Sequence, residues 1–227
     1  MAAAETHAKL ERRWLDVAWV IGGSLILLAS SIAVRDGGVD PWEEALFHAI
    51  NGLPSWLESP MQAIELVGVL WIGPAVAAVA LIIFRKPRLA AAAVAVTASK
   101  LVLERVVKLV VERQRPGVST PDAIMRGVPV RGLAFVSGHA ILLTALAGVV
   151  SPYLPRRWKA LPWTVVALVC IARVYLGAHN PLDVIGGAAL GLSIAGAWNL
   201  ILGVPRRLPP MSTSTPQTTE QPAVGPA

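Results

Sequence analysis

Three short blocks of polar residues, each at the end of an apolar stretch, hold most of the chemistry this sequence could perform. They are Lys108 with Arg115-Pro116, then Ser137-Gly138-His139, then Arg173 with His179 and Asp183. Three cations, two histidines, a carboxylate and a serine–glycine helix start are what is needed to hold a phosphoryl group and cleave its ester bond. Charged side chains are costly beside a bilayer and usually mark function there. The pattern points to an enzyme.

Lys108 and Arg115 stand seven residues apart, two helical turns, so one helix face can carry both, with Pro116 ending the helix. Lysine supplies a point charge and arginine a planar fork for two phosphate oxygens. On its own this block could equally snorkel to lipid phosphates. Lys100, Glu104 and Lys108 recur every four residues and can form a neutral ladder, which makes Lys100 and Glu104 structural.

In the second block Ser137 is a good helix cap, first-turn amides bind anions, and Gly138 lets a ligand approach the backbone. His139 follows at once, placed to give a proton to a leaving oxygen. In the third, Asn180 can cap a helix with Pro181 at its first position. Asp183, four residues after His179, can hold one ring nitrogen and leave the other free to attack phosphorus. The alternative is that Asp183 only completes a capping box.

The elements that must position these blocks are membrane helices. The 227 residues are 55% hydrophobic and 15% charged, with a mean hydropathy of +0.60. Apolar runs reach the roughly 20 residues that cross a bilayer as a helix. The pattern predicts an all-α, polytopic membrane protein with six spans, at about 15–34, 61–84, 88–111, 133–153, 159–178 and 182–203. A short amphipathic helix over 41–53 lies in the interface between the first and second spans. Trp42, Ala45, Leu46, Ala49, Ile50 and Leu53 lie on its apolar side, and Glu43, Glu44, His48 and Asn51 on the other. Asp40 can cap its start. Residues 1–14 form a cytoplasmic N-terminus, 15–203 one six-span domain, and 204–227 a disordered tail rich in Pro, Ser and Thr.

Lysines and arginines cluster in alternate connections: the N-terminus, 85–88, 156–159 and 206–207. The positive-inside rule therefore puts both termini in the cytoplasm and all three polar blocks on the extracytoplasmic face of a cell membrane. The net charge of +6 is explained by this rule and by anionic lipid; there is no basic arm or zinc-finger spacing for nucleic acid. Cys170, alone in an apolar run, is a buried inert thiol. Residues 116–132, with Asp122, Arg126 and Arg131, should frame a head group. The small residues Gly186, Gly187, Ala188, Ala189, Gly191, Ala195 and Gly196 permit close helix packing, within the bundle or in a dimer.

In order and spacing the blocks resemble the signature of the type 2 phosphatidic acid phosphatase (PAP2) superfamily, the lipid phosphate phosphatases. That signature is Lys-x6-Arg-Pro, then Pro-Ser-Gly-His, then Ser-Arg-x5-His-x3-Asp; here it reads Lys108 to Pro116, Val136-Ser137-Gly138-His139, and Ala172-Arg173 to His179 and Asp183. The resemblance implies a phosphatase acting on a lipid phosphate monoester or prenyl pyrophosphate. His179 would be the nucleophile, forming a phosphohistidine, with Asp183 orienting it and His139 as general acid. Lys108, Arg115, Ser137, Gly138 and Arg173 would hold the phosphoryl oxygens, with no metal or other cofactor. Two departures are Val136 for proline and Ala172 for serine, neither of which removes a proton-transfer group. The related haloperoxidases bind vanadate in the same architecture but are largely soluble, so six spans argue against an oxidative role. A non-hydrolytic lipid-phosphate binder or carrier is the alternative reading.

Overall fold

A computed structural model describes residues 10–127 and 132–206. They are largely helical: α1 (Trp14–Ala33), α2 (Pro41–Asn51), α3 (Glu58–Glu65), α4 (Ile72–Ala78), α5 (Pro87–Val111), α6 (Gly138–Val150), α7 (Ala160–Tyr175) and α8 (Pro181–Leu202). A two-residue antiparallel pairing joins β1 (Leu10–Glu11) to β2 (Val204–Pro205). The start of the predicted tail is therefore ordered, and residues 207–227 lie outside the described part.

Among the described residues, three helical stretches are long and apolar enough to cross a membrane: Trp14–Ala33, Arg156–Tyr175 and Pro181–Leu202. A fourth crossing results if Ser55–Gly68 and Ile72–Ile83 form one span. The sequence predicts a continuous helix over 61–84, but these two pieces meet at 58°. Gly68, Gly73 and Pro74 account for the break, since proline removes a helical donor and glycine resists no bend. Of the remaining predicted spans, α5 has the length but carries Arg88, Lys100, Glu104, Arg105 and Lys108, and α6 starts only at Gly138.

Lipid tails are as apolar as leucine, so helices in a bilayer are held by close packing more than by the hydrophobic effect. Central to the packing is α8, with α1 on one side and α6 on another. A Cβ on Gly196 would lie 2.5 Å from the Asp16 carbonyl oxygen of α1, and one on Gly187 would lie 2.7 Å from that of Ser137. The small-residue stripe thus serves packing inside the bundle. Leu190, Ile194 and Ala195 of α8 then meet Ile141, Leu142, Ala145 and Val149 of α6 in the main core, together with Phe135 and Val136. The approach at Gly187 is what sets the second polar block beside the third.

Candidate active site

Each block reaches the site by a local device, and two differ from expectation. The helix α5 ends at Val111, not at Pro116: Glu112 turns left-handed (φ 49°) and its N–H bonds the Lys108 carbonyl. Lys108 is therefore on the helix while Arg115 stands on the following loop, and the chain between them drops Arg113 into the protein interior. Ser137 does precede α6 in extended conformation, but its hydroxyl makes no capping bond. Its N–H instead donates to the Asp183 carbonyl oxygen (2.9 Å), tying the second block to the third. At α8 the capping box is present: the Asn180 N–H donates to Asp183 Oδ2 at 2.8 Å, and Pro181 opens the helix.

Capping does not exhaust Asp183. His179 Nδ1 lies 3.5 Å from the same Oδ2, with both side chains buried, and has not closed to a hydrogen bond. On the far side of the ring, Arg115 Nη1 is 3.3 Å from Nε2. A guanidinium can only donate, so Nε2 accepts and the ring proton sits on Nδ1, facing Asp183. Burial, and then the charges of Arg173, Arg115, Lys108 and His139, hold the pKa of His179 well below the ordinary histidine value. The ring is a neutral imidazole with a bare Nε2 among cations.

Lys108, Arg115, Arg173 and His139 all act electrostatically on His179, so the three blocks converge on one point. Around it, Ser137 Oγ, His139 Nε2 and Arg173 Nε are buried without an internal partner. Two of the cations carry counter-charges. Lys108 Nζ lies 2.8 Å from Glu104, which also takes Lys100 at 2.7 Å, so the predicted ladder is formed. A Cβ on Gly138 would lie 2.7 Å from the Glu104 carboxylate, so glycine there lets the α6 start sit against this ladder. Arg173 pairs with Glu65 of α3, a residue the sequence reading did not single out. Arg115 donates to the carbonyls of Ala178 (2.7 Å) and Gly132 (3.1 Å).

The larger omission is Arg113 with Glu43. Arg113 is fully buried and donates to Glu43 at 2.6 and 3.0 Å, to Asp183 Oδ1 at 3.0 Å and to the Gly38 carbonyl at 3.0 Å. Burial opposes its charge, but Glu43 and Asp183 more than offset this and raise its pKa. The sequence gives α2 a polar side bearing Glu43 and Asn51; these residues, with Phe47 between them, form the buried side instead. Asp40 makes no side-chain cap there.

The family model described as the PAP2 superfamily matches residues 88–206, more than half of the chain. The chain belongs to the PAP2 superfamily. Its fold resembles the crystal structure of a transmembrane PAP2 type phosphatidylglycerolphosphate phosphatase from Bacillus subtilis: TM-score 0.68, 23% identity, 80% of this chain and 94% of that one. It also resembles the crystal structure of Aquifex aeolicus LpxE: TM-score 0.58, 26% identity, 69% and 93% of the two chains. A 39-residue stretch is 46% identical to the lipid phosphate phosphatase delta of Arabidopsis thaliana, covering 17% of this chain and 9% of that protein's length.

Beside the three blocks of this PAP2 chain, α2 and the segment after α5 form one layer. Asn51 donates to the Ile124 (3.0 Å) and Tyr175 (2.8 Å) carbonyls. Arg126, expected at the head group, is buried, donates to the Tyr175 carbonyl at 2.7 Å and lies over the Tyr175 ring. It ties the loop to α7 instead. Asp122 pairs with His48 at 3.3 Å. Those two and Glu44 are a trio whose ligand atoms lie within 4.8 Å of one another and could hold a cation; of the three, only Asp122 is expected from the sequence to lie near a head group. Arg131 lies outside the described residues.

Proposed function

We propose that this chain is an integral-membrane phosphatase that hydrolyses a lipid phosphate monoester or prenyl pyrophosphate through a phosphohistidine on His179. The observation that carries this reading is the ring itself: its bare Nε2 faces Arg115 while its Nδ1 faces a buried carboxylate. In the first step Nε2 attacks phosphorus, the bond from phosphorus to the leaving oxygen breaks, and His139 gives that oxygen its proton. Lys108, Arg115, Arg173, Ser137 Oγ and the Gly138 N–H hold the phosphoryl oxygens as charge moves across them. Water then attacks phosphorus, gives its proton to His139, and the P–N bond breaks to release phosphate.

The paired cations fit this role, because phosphate can share them with Glu104 and Glu65, and those carboxylates keep them in place beforehand. The unpartnered Ser137 Oγ, His139 Nε2 and Arg173 Nε are groups that an anion of several oxygens would satisfy. The names of the Bacillus and Arabidopsis relatives support a phosphorylated lipid as substrate. The reading keeps six crossings within one domain over 15–203, the cytoplasmic segments 1–14 and 204–227 at its ends, α2 in the interface and the site on the extracytoplasmic face; the alternating basic loops support it.

The test is phosphate release from a panel of lipid phosphates and pyrophosphates, in detergent with excess chelator, by wild type and His179→Ala. Release by wild type alone is the expected result. Equal release by His179→Ala would sink the mechanism. Binding by both proteins without release would favour a carrier.

A further inference from the structure

The interior below the proposed nucleophile contains an ion cluster with more negative than positive side chains. Arg113 is shared between Glu43 of α2 and Asp183 of α8, and all three are buried. Two carboxylates against one guanidinium leave one negative charge over. The geometry decides where it rests. Glu43 meets Arg113 with both oxygens (2.6 and 3.0 Å), a bidentate pair, whereas Asp183 offers only Oδ1 at 3.0 Å. Asp183 Oδ2 is left to the Asn180 N–H and to His179 Nδ1. Glu43 Oε1 also accepts the Leu182 N–H at 2.9 Å, fixing the first turn of α8 next to Asp183.

We propose that Glu43 and Arg113 are positioning residues for the nucleophile, Glu43 taking up the guanidinium's charge so that Asp183 keeps its own for His179. Without Glu43, the whole charge of Arg113 falls on Asp183, which turns from the histidine towards a bidentate pair. The imidazole then loses the carboxylate that selects its Nδ1–H tautomer, and Nε2 is no longer reliably bare. A helix outside the three polar blocks thus governs the reacting nitrogen. It is held in place at its other end by Asn51.

This inference rests on the phosphatase reading for its kinetic consequence but not for its spectroscopic one. The experiment compares wild type, Glu43→Gln, and the paired replacement Glu43→Leu with Arg113→Met, which removes both charges and leaves Asp183 alone with the histidine. Nitrogen-15 NMR of labelled histidines reads the His179 tautomer, and phosphate release from the lipid phosphate that wild type hydrolyses best gives kcat and KM. Wild type is expected in the Nδ1–H form. Glu43→Gln is expected as a tautomer mixture, with kcat lowered on the order of 100-fold, the cost of misplacing a reacting group by about 1 Å. KM should stay within about threefold, because the phosphate cations are untouched. The paired replacement should return the wild-type tautomer and recover kcat to within roughly tenfold, because it removes one buried charge of each sign and leaves the net charge of the cluster, carried by Asp183, as it was. An unchanged tautomer in Glu43→Gln, or a paired variant no better than the single one, overturns the proposal. A wild type that releases no phosphate while the tautomers change as described overturns the phosphatase reading alone.

Discussion

Arg113 and Arg173 sit in adjoining regions of the same site, and their surroundings differ in what completes them. Around Arg113, both terminal nitrogens are satisfied by Glu43, Asp183 and Gly38; only Nε lacks a partner. Around Arg173 and the α6 start, Arg173 Nε, Ser137 Oγ and His139 Nε2 are buried and unmatched. The terminal nitrogens of the first region are matched by the protein alone. The second has unused hydrogen-bonding capacity in a buried place, which costs stability unless a ligand supplies the partners. On the proposed mechanism, the deficit is where the substrate's oxygens would bind.

The sharpest way to break this distinction is to remove the proposed nucleophile. His179→Ala is expected to lower single-turnover phosphate release by about 10⁴-fold or more, the scale for deleting a nucleophile, and to end transfer of radiolabelled phosphate to the protein. Retained labelling would move the nucleophile elsewhere. Next come one cation from each region, Arg113 of the framework and Lys108 of the proposed phosphate site. Arg113→Ala leaves two buried carboxylates facing each other and should destabilise by about 3–5 kcal/mol, read as a large fall in Tm. Lys108→Ala should shift Tm by little while weakening inorganic phosphate binding about tenfold or more. Equal effects of the two on Tm would erase the contrast.

Acid titration sharpens the comparison further. With its pKa held well below the ordinary value of about 6.5, His179 stays neutral in the folded protein as pH falls through that value. The unfolded chain takes up that proton first, so the His179 contribution to stability is full above about pH 6.5 and is lost as pH falls towards the folded pKa. Histidine NMR should show no protonation of this ring at pH 6.5; a titration at or above that pH contradicts the buried cationic setting. The smallest effect is at Ser137. Because its hydroxyl has no internal partner, Ser137→Ala should leave Tm unchanged or slightly higher, yet weaken phosphate binding by about 1.5–3 kcal/mol, the worth of a hydrogen bond to a charged group. A drop in Tm would mean that the hydroxyl serves the fold.

How much of this was legible follows from sequence distance. The ladder of Lys100, Glu104 and Lys108 was readable because helical spacing is local. So was the approach of Asp183 to His179, four residues apart at a helix entrance. The partnership of Arg113 with Glu43 spans 70 residues, and that of Arg173 with Glu65 spans 108, so no periodicity reports them. The α2 stripe of Glu43, Phe47 and Asn51 misled for a related reason: two of its three residues are polar, so it reads as a wet face until Arg113 and the α7 carbonyls are brought against it. Hydropathy averaged over 61–84 conceals a break that Gly68 and Gly73-Pro74 already encode. The loop entry of Arg115 was lost for want of any local sign that Glu112 would turn left-handed.

Leu10 and Glu11 pair with Pro205 and Val204, so the chain enters α1 and leaves α8 at one end of the bundle. A path that returns to its starting side has crossed any intervening layer an even number of times. Whatever the bent piece over 55–83 contributes, the parity of the crossings is thereby constrained, and four or six satisfy it where five does not. Reporter domains fused ahead of residue 10 and beyond residue 206 should consequently report the same compartment.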